Sequence, residues 1–287
     1  MFMKVGVIGA NGQLGHDVVA EFTKKGGEVI ALNHDVIDIS NAGSVQKVFS
    51  EIKPQIVVNT AAMHHVETCE SEPERSFAVN GLGAKNLADV SNKLAITLIH
   101  ISTDYVFDGS QKTPYSETDL PAPLNVYGNT KLAGEFFVQS ATENYFILRT
   151  SGLYGDAPCR AKGLNFVELM IKLSKEREEI RVVDNEVLTP TSTLDLAKQI
   201  VALSQTQHYG LYHCTAQGFC SWYQFAKKIF ELTDASVKLS IADPKEFPAK
   251  VPRPYYSVLE NKHLKKHQLD FMPSWETSLA TYITNRT

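Results

Sequence analysis

Missing from this chain of 287 residues is any run of about 20 apolar residues, the length a membrane-crossing helix needs. Its opening stretch, Met1-Phe2-Met3-Lys4-Val5, leads straight into an apolar strand pattern and lacks the charged, apolar and small-residue zones of a secretory leader. The four cysteines, Cys69, Cys159, Cys214 and Cys220, form no CxxC pair. That argues against a disulfide scaffold or a zinc site and fits reduced thiols in a cytoplasm. There is no basic excess: the formal net charge is −4, which gives no footing to a nucleic-acid partner. The basic cluster Lys262-His263-Leu264-Lys265-Lys266 is short, as on a solvated helix face. No repeat or low-complexity tract is visible. What is present, with 43% hydrophobic residues, is the composition of an ordinary globular protein large enough for one big domain or two modest ones.

The first half alternates short β-branched runs with amphipathic stretches. Strands are predicted at Lys4–Ile8, Glu28–Leu32, Gln55–Thr60, Ile96–Ser102 and Tyr145–Thr150. Helices are predicted at Gly12–Lys25, from a Ser40 cap to Lys53, at Pro73–Lys93 and at Asn125–Ala141. The strands are nearly continuous apolar runs, as expected when both faces are covered. Strand–helix–strand repetition implies a parallel sheet with right-handed crossovers. The loop from Asp104 to Leu124 carries Pro114, Pro121 and Pro123, and a loop that long is often functional. After Thr150 the pattern loosens, with helices expected near Leu164–Glu178, Leu194–Gln205, Ser221–Thr233 and Trp275–Ile283. An irregular proline-rich segment spans Ala242–Tyr256. The fold class is therefore α/β, a Rossmann-type doubly wound parallel sheet with a smaller C-terminal domain. Residues 1–150 read as an NAD(P)-binding Rossmann domain. Residues 151–287 read as mainly a substrate-binding region, part of which is free to return to the sheet.

Two local patterns carry chemistry. Strand one is followed by Gly9-Ala10-Asn11-Gly12-Gln13-Leu14-Gly15, a GxxGxxG turn that opens a helix. Gly9 permits the tight turn, Gly12 lets backbone approach a pyrophosphate, and Gly15 lets helix and strand pack closely. The helix start then offers N–H groups and a positive dipole end. Strand two ends Leu32-Asn33-His34 with no acid at its tip; Asn33 and His34 suit a 2′-phosphate, so NADPH is expected, with NADH tolerated. The second pattern is Tyr127 and Lys131, one helical turn apart on one face. A surface Tyr–Lys pair of this spacing is common. Ser102-Thr103 at the carboxyl end of strand four, where open parallel sheets bind ligands, is what gives it meaning. An ammonium beside a phenol lowers its pKa, and such a tyrosine can protonate a carbonyl oxygen.

Together these residues resemble the extended short-chain dehydrogenase/reductase superfamily. Longer motifs are similar to the dTDP-4-dehydrorhamnose reductase family: Ile101-Ser102-Thr103-Asp104-Tyr105-Val106-Phe107-Asp108-Gly109, and the run from Pro123 through Tyr127 and Lys131 to Glu135. Asn59-Thr60-Ala61-Ala62, Glu70-Ser71-Glu72-Pro73-Glu74, Arg149-Thr150-Ser151, and Arg253-Pro254 followed by Tyr256-Ser257-Val258-Leu259 belong to the same likeness, which spans nearly the whole chain. The resemblance implies reduction of the C4 keto group of a nucleotide-linked 4-keto-6-deoxy sugar. It implies Tyr127 as acid, Lys131 as its tuner and holder of the nicotinamide ribose, and Thr103 at the sugar oxygen. It places Gly12, Gln13 and Leu14, with Gly9, Asn11 and Gly15 of the same turn, at the pyrophosphate, and Asn33 near the adenosine ribose. Asp38 and Ile39 would line the adenine, and Ala61, Ala62 and Met63 would flank the cofactor. Asp104, Tyr105 and Gly152 would line the sugar site, and Arg253 would meet the substrate phosphates.

Some positions depart from that pattern. Gly152 stands where the family often has tryptophan, which is expected to open the sugar pocket. Met63-His64-His65 replaces a common Tyr-Thr; His64 is a candidate substrate contact or a structural histidine, and no further ligands at metal spacing accompany it. Acidic residues tied to a magnesium-bridged dimer in some members are not clearly matched, so a homodimer stays open. Two other readings remain. Asp104-Tyr105 lacks the second carboxylate of a sugar-nucleotide dehydratase or epimerase. A non-catalytic regulatory subunit, like the relative that partners methionine adenosyltransferase, would have no need of Thr103, Tyr127 and Lys131.

Overall fold

The computed structural model describes residues 3–158, 163–246 and 249–286. Met1, Phe2, Cys159 and Pro248, on which sequence expectations fall, lie outside the described residues.

The elements of the first half run β1 (Lys4–Ile8), α1 (Gln13–Lys24), β2 (Glu28–Leu32), α2 (Ala42–Ile52), β3 (Ile56–Asn59), α3 (Val66–Ser71), α4 (Pro73–Phe77), a π-helical turn (Ala78–Leu82), α5 (Gly83–Lys93), β4 (Thr97–Thr103), α6 (Val126–Ala141) and β5 (Tyr145–Thr150). After these come β6 (Leu153–Tyr154), α7 (Phe166–Glu176), β7 (Glu179–Val182), β8 (Val187–Leu188), β9 (Thr191–Ser192), α8 (Thr193–Ser204), β10 (Gly210–His213), β11 (Cys220–Ser221), α9 (Trp222–Leu232), β12 (Lys238–Ile241), α10 (Lys262–Lys266) and α11 (Trp275–Asn285).

The large sheet has six strands in the order β10-β5-β4-β3-β1-β2. All its pairings are parallel. Its central strands are covered on both faces: one apolar cluster gathers Val5, Val7 and Val58 with Leu14 and Val18 of α1, and another gathers Ile8, Val57 and Leu98 with Phe49 and Leu87. Because β2 and β3 leave β1 on opposite sides, the crossovers diverge beside the carboxyl end of β1. That is the place where such sheets bind ligands. The end of β10 pairs with Arg149 of β5, so the second half of the chain returns a strand to the sheet. Helix α8 packs on α1 from the same half. A separate apolar cluster, Tyr154, Phe225, Ile229, Trp275 and Leu279, unites α7, α9 and α11 with two short sheets. Cys69, Cys214 and Cys220 are buried and free. Among the described residues no helix is long and apolar enough to cross a membrane.

Three local details differ from the sequence reading. The α2 cap is Asn41, whose side chain accepts from Gly43 N and Ser44 N. Ser40 instead gives its amide and hydroxyl to Asp38 Oδ1. Val66–Ser71 forms a helix that the sequence pattern does not announce, because His65 caps it by accepting from Thr68 N. The helix expected from Pro73 to Lys93 is broken by the π turn. Such bulges shift the helical register beyond them and gather at functional sites; here the turn carries Asn80.

Candidate active site

The glycine turn has the geometry its residues require. Gly9 adopts φ 75°, and a Cβ there would lie 2.8 Å from Thr60 Oγ1. A Cβ on Gly15 would lie 2.1 Å from Gly9 O, so only glycine lets α1 start this close to the turn. Helix α1 begins at Gly12 with no side-chain cap. In contrast α2, α6, α7, α8, α9 and α11 are each capped by an Asn or Ser side chain. An uncapped helix start with backbone cleared around it is a cradle for an anion. Gln13 reaches across it to Gly155 O at 3.1 Å, and Leu14 is buried in the core beneath.

The side-chain carbonyl of Asn33 accepts Asn11 N at 3.1 Å, so it braces the turn, and exposed His34 follows it at the strand tip. Asp38 is engaged with Ser40, and its own amide donates to Ser44 Oγ. Ile39 is buried against Gly83, whose Cβ would come within 2.9 Å of it. On the other side of the crevice Ala61 N donates to Asn59 Oδ1 at 3.2 Å. Met63 is clamped through both backbone groups by Asn80, at 2.9 Å each. Asn80 also donates to Thr130 Oγ1 at 3.1 Å, tying this wall to α6.

Helix α6 delivers the chemistry. Asn125 caps it by accepting Gly128 N at 2.9 Å, and its amide nitrogen donates to Pro252 O. Glu70 of α3 accepts Val126 N at 3.1 Å. Gly128 lies so close to the loop after β4 that a Cβ would sit 2.2 Å from Tyr105 O. The result is that Tyr127 stands beside the end of β4, close enough for the Thr103 hydroxyl to favour its ionised form. Tyr105 meets Tyr127 edge to face with ring centroids 5.6 Å apart.

The electrostatics correct one expectation. Burial pushes the Tyr127 phenol up from its ordinary value, and the neighbouring Thr103 hydroxyl opposes it. Lys131 does not pull it down here, because its ammonium is turned to Ile101 O at 2.6 Å. Burial in turn lowers Lys131 to about 8, with Glu135 opposing. Tyr127 is thus a protonated phenol at neutral pH, which is the state a proton donor requires.

Asp104, expected to line the sugar site, does not face outward. Its Oδ1 accepts Thr103 Oγ1, and its Oδ2 accepts Ser151 Oγ at 2.8 Å and Ser257 Oγ at 2.6 Å. It is a brace that pins β4, β5 and the C-terminal segment together. Gly152 does not open a pocket either. It sits at φ 57°, and the direction a side chain would take is filled by Leu188 Cδ1 at 2.9 Å, Thr189 O and Pro190. Arg253 is brought in by the segment that Asn125 holds. One of its terminal nitrogens donates to Glu67 at 3.2 Å, its Nε is buried with no acceptor, and its charge lowers the phenol of Tyr105 against the burial that raises it. His65 is the α3 cap and pairs with Glu67, while exposed His64 approaches Ala62 O.

Sequence reasoning gave no role to the asparagines and the histidine behind the site, Asn59, Asn80, Asn125 and His100, although Asn59 and Asn125 stand in its motifs. His100 had a legible signal, an ionisable residue inside the apolar run of β4. Arg149 was noted only as motif, yet its guanidinium grips Glu135 through Nε at 3.0 Å and a terminal nitrogen at 2.6 Å, both groups being buried. Ser102 Oγ joins Glu135 at 2.5 Å.

Comparison with known proteins agrees with this geometry. The family model for the RmlD substrate binding domain matches residues 3–287. The chain is similar to the spore coat polysaccharide biosynthesis protein SpsK of Bacillus subtilis, 38% identical over 99% of this chain and 98% of the relative. It is similar to the dTDP-4-dehydrorhamnose reductase of Sinorhizobium fredii, 35% identical over 96% and 95% of the two chains. Its structure resembles that of dTDP-4-dehydrorhamnose reductase from Bacillus anthracis in complex with NADP, with 40% identity, TM-score 0.95 and full coverage of both chains.

Proposed function

This chain belongs to the RmlD family, that of the dTDP-4-dehydrorhamnose reductases, and on that premise we propose that it reduces the C4 keto group of dTDP-4-dehydro-L-rhamnose with NADPH, giving dTDP-L-rhamnose. The observation that carries the reading is the phenol of Tyr127 set beside the Thr103 hydroxyl at the carboxyl end of β4, with the uncapped glycine turn on the other flank of the crevice.

The turn fits the cofactor: Gly9, Gly12 and Gly15 clear the backbone, and the α1 amides at Gln13 and Leu14 would take the pyrophosphate. Asn33 and His34 would meet the 2′-phosphate, and Ala61 to Met63 would form the facing wall. When bound, NADPH supplies the hydride to the keto carbon. Tyr127 donates its proton to the keto oxygen as negative charge develops there, and the Thr103 hydroxyl, whose proton otherwise goes to Asp104 Oδ1, would turn it to the same oxygen and fix its direction. Lys131, held at Ile101 O in the free protein, would have to turn its ammonium towards the nicotinamide ribose and the resulting phenolate to support the charge there. Arg253, with an unsatisfied Nε and one arm on Glu67, would engage the substrate diphosphate. Tyr105 fills the space beside Tyr127 and excludes water from the reacting face. A nucleotide sugar and NADPH are cytoplasmic metabolites in this reading, and the enzyme is placed there with them.

The test is to follow nicotinamide absorbance with pure protein, NADPH and dTDP-4-keto-L-rhamnose. Oxidation of NADPH is expected, with a loss of about 10²–10⁴-fold in kcat for Tyr127→Phe and unchanged NADPH affinity. Sugar conversion with no net NADPH use would replace this reading with an epimerase. Tight NADPH binding with no turnover would replace it with a regulatory subunit.

A further inference from the structure

His100 lies in the middle of the catalytic wall, 1% exposed, between Asn59 and Lys131. Its Nδ1 is 3.1 Å from Asn59 Nδ2 and its Nε2 is 3.4 Å from Lys131 Nζ. Both ring nitrogens therefore face groups that ordinarily donate. A neutral imidazole has one acceptor nitrogen and one N–H, so one of the two contacts cannot be a conventional donation to the ring. The network decides which. The Asn59 amide is oriented by Ala61 N, which donates to Oδ1 at 3.2 Å, so it is the Nδ2 donor that meets His100. Nδ1 is then the acceptor, and the imidazole proton sits on Nε2, facing the lysine. The distances agree: Lys131 comes to 2.6 Å from its true acceptor, Ile101 O, and stands off at 3.4 Å from Nε2.

We propose that His100 is a positioning residue whose tautomer, set by Asn59, presents an N–H to Lys131 and so favours the neutral amine over the ammonium. A neutral Nζ has a lone pair that accepts Nε2–H, whereas an ammonium meets it proton to proton. The charged groups around Lys131 do not cancel this. Glu135, one turn further along α6, is bound by Arg149 and by Ser102 of β4. Tyr127, one turn back, is protonated. From β4 the only other partner of Nζ among the described residues is the Ile101 carbonyl. Burial of His100 keeps its ring neutral, so the N–H is a fixed feature and not a titrating one. Burial already lowers Lys131 to about 8, with Glu135 opposing, and the His100 N–H at 3.4 Å acts in the same direction as burial.

The catalytic meaning rests on the reductase reading, but the test does not. It uses NADPH-free protein labelled with ¹⁵N-histidine and ¹³Cε-lysine, with Lys131 assigned by comparison with Lys131→Arg. We expect His100 to show a bare Nδ1 and a protonated Nε2 at pH 7, and Lys131 to titrate near pH 8. In His100→Gln an amide carbonyl can turn to the ammonium without adding charge, and the Lys131 midpoint should rise by about one unit or more. Asn59→Asp keeps an acceptor for Ala61 N and tests the tautomer directly: the proton should move to Nδ1 and the Lys131 midpoint should rise. A wild-type His100 protonated on Nδ1, or a Lys131 midpoint that stays put in His100→Gln, overturns the proposal. Should the Asp variant not fold, the wild-type tautomer and the Gln variant decide it. In turnover, the alkaline limb of the kcat profile should follow the Lys131 midpoint; a purely structural histidine would scale the profile down without moving it. Absence of any turnover would sink the reductase reading and leave the NMR result standing.

Discussion

At the glycine turn the receiving surface is made of backbone: three glycines, an uncapped helix start and a strand tip whose Asn33 braces the loop through its side-chain carbonyl. Across the crevice, the wall of β4 and α6 is made of buried polar side chains: Glu135 with Arg149 and Ser102, Lys131 with Ile101 O and His100, Asp104 with three hydroxyls. The two flanks do different jobs. One must fit a ligand whose charge arrives with it, and preformed amides suit that at little cost in buried charge. The other must hold proton-bearing groups in fixed geometry where water is excluded, and only a satisfied network of side chains can do so.

If that division is right, the largest stability effect should come from the wall. Arg149→Met leaves Glu135 buried with Ser102 as its only hydrogen-bond partner among the described residues, and should cost about 3–5 kcal/mol in urea unfolding. Adding Glu135→Leu should restore much of that stability, since a buried pair is often replaceable by apolar packing. It should not restore turnover, because Ser102 and the wall behind Thr103 lose their anchor. A double variant with both stability and wild-type kcat would show that the network is mere core.

Lys131 tests the wall from the opposite direction. Its folded pKa lies below the ordinary lysine value near ~10.4, so the native protein binds fewer protons than the unfolded chain between about pH 8 and that value. The penalty for the buried ammonium is therefore fully present below about 8 and fades as pH rises. Lys131→Met should stabilise the protein by about 2–3 kcal/mol at pH 7, with the advantage shrinking towards pH 10, while turnover collapses. A variant that is less stable at pH 7 would mean that the Ile101 and His100 contacts outweigh the burial cost.

On the backbone flank, Gly15→Ala drives a Cβ into Gly9 O. The expected cost is about 1–3 kcal/mol in stability, with NADPH affinity falling far more than the reactivity of any substrate already bound. Equal losses in NADPH affinity and in kcat at saturating NADPH would erase the distinction between the two flanks.

The same contrast explains what can be read from the sequence. Strand and helix periods, the glycines and the Tyr127–Lys131 spacing are local in sequence, so β1, β2, β5 and α6 came out within a residue or so of their observed limits. Asn59, His100 and Lys131 lie on three elements, and nothing local says that they meet. Asp104 and Gly152 were misjudged for the same reason: one is claimed by Ser151 and Ser257, the other is crowded by Leu188 to Pro190. Each partner is remote in sequence.

The smallest test concerns a misreading that was local. The sequence reading gives the α2 cap to Ser40, although Asn41 beside it is an equally good capping residue. The structure gives the cap to Asn41, which accepts Gly43 N at 2.9 Å and Ser44 N at 3.1 Å. Ser40 is drawn away because Asp38 Oδ1 takes both its amide and its hydroxyl, making a tight exposed turn. Asn41→Ala should cost about 1 kcal/mol in thermal or urea unfolding. Ser40→Ala should cost only a few tenths, since its hydroxyl bond is exposed and its amide bond survives. Asp38 also stands where the adenine is expected, so loosening this turn should weaken NADPH binding slightly in the Ser40 variant and not in the Asn41 one. Reversed stability losses would return the cap to Ser40 and detach the turn from the cofactor flank.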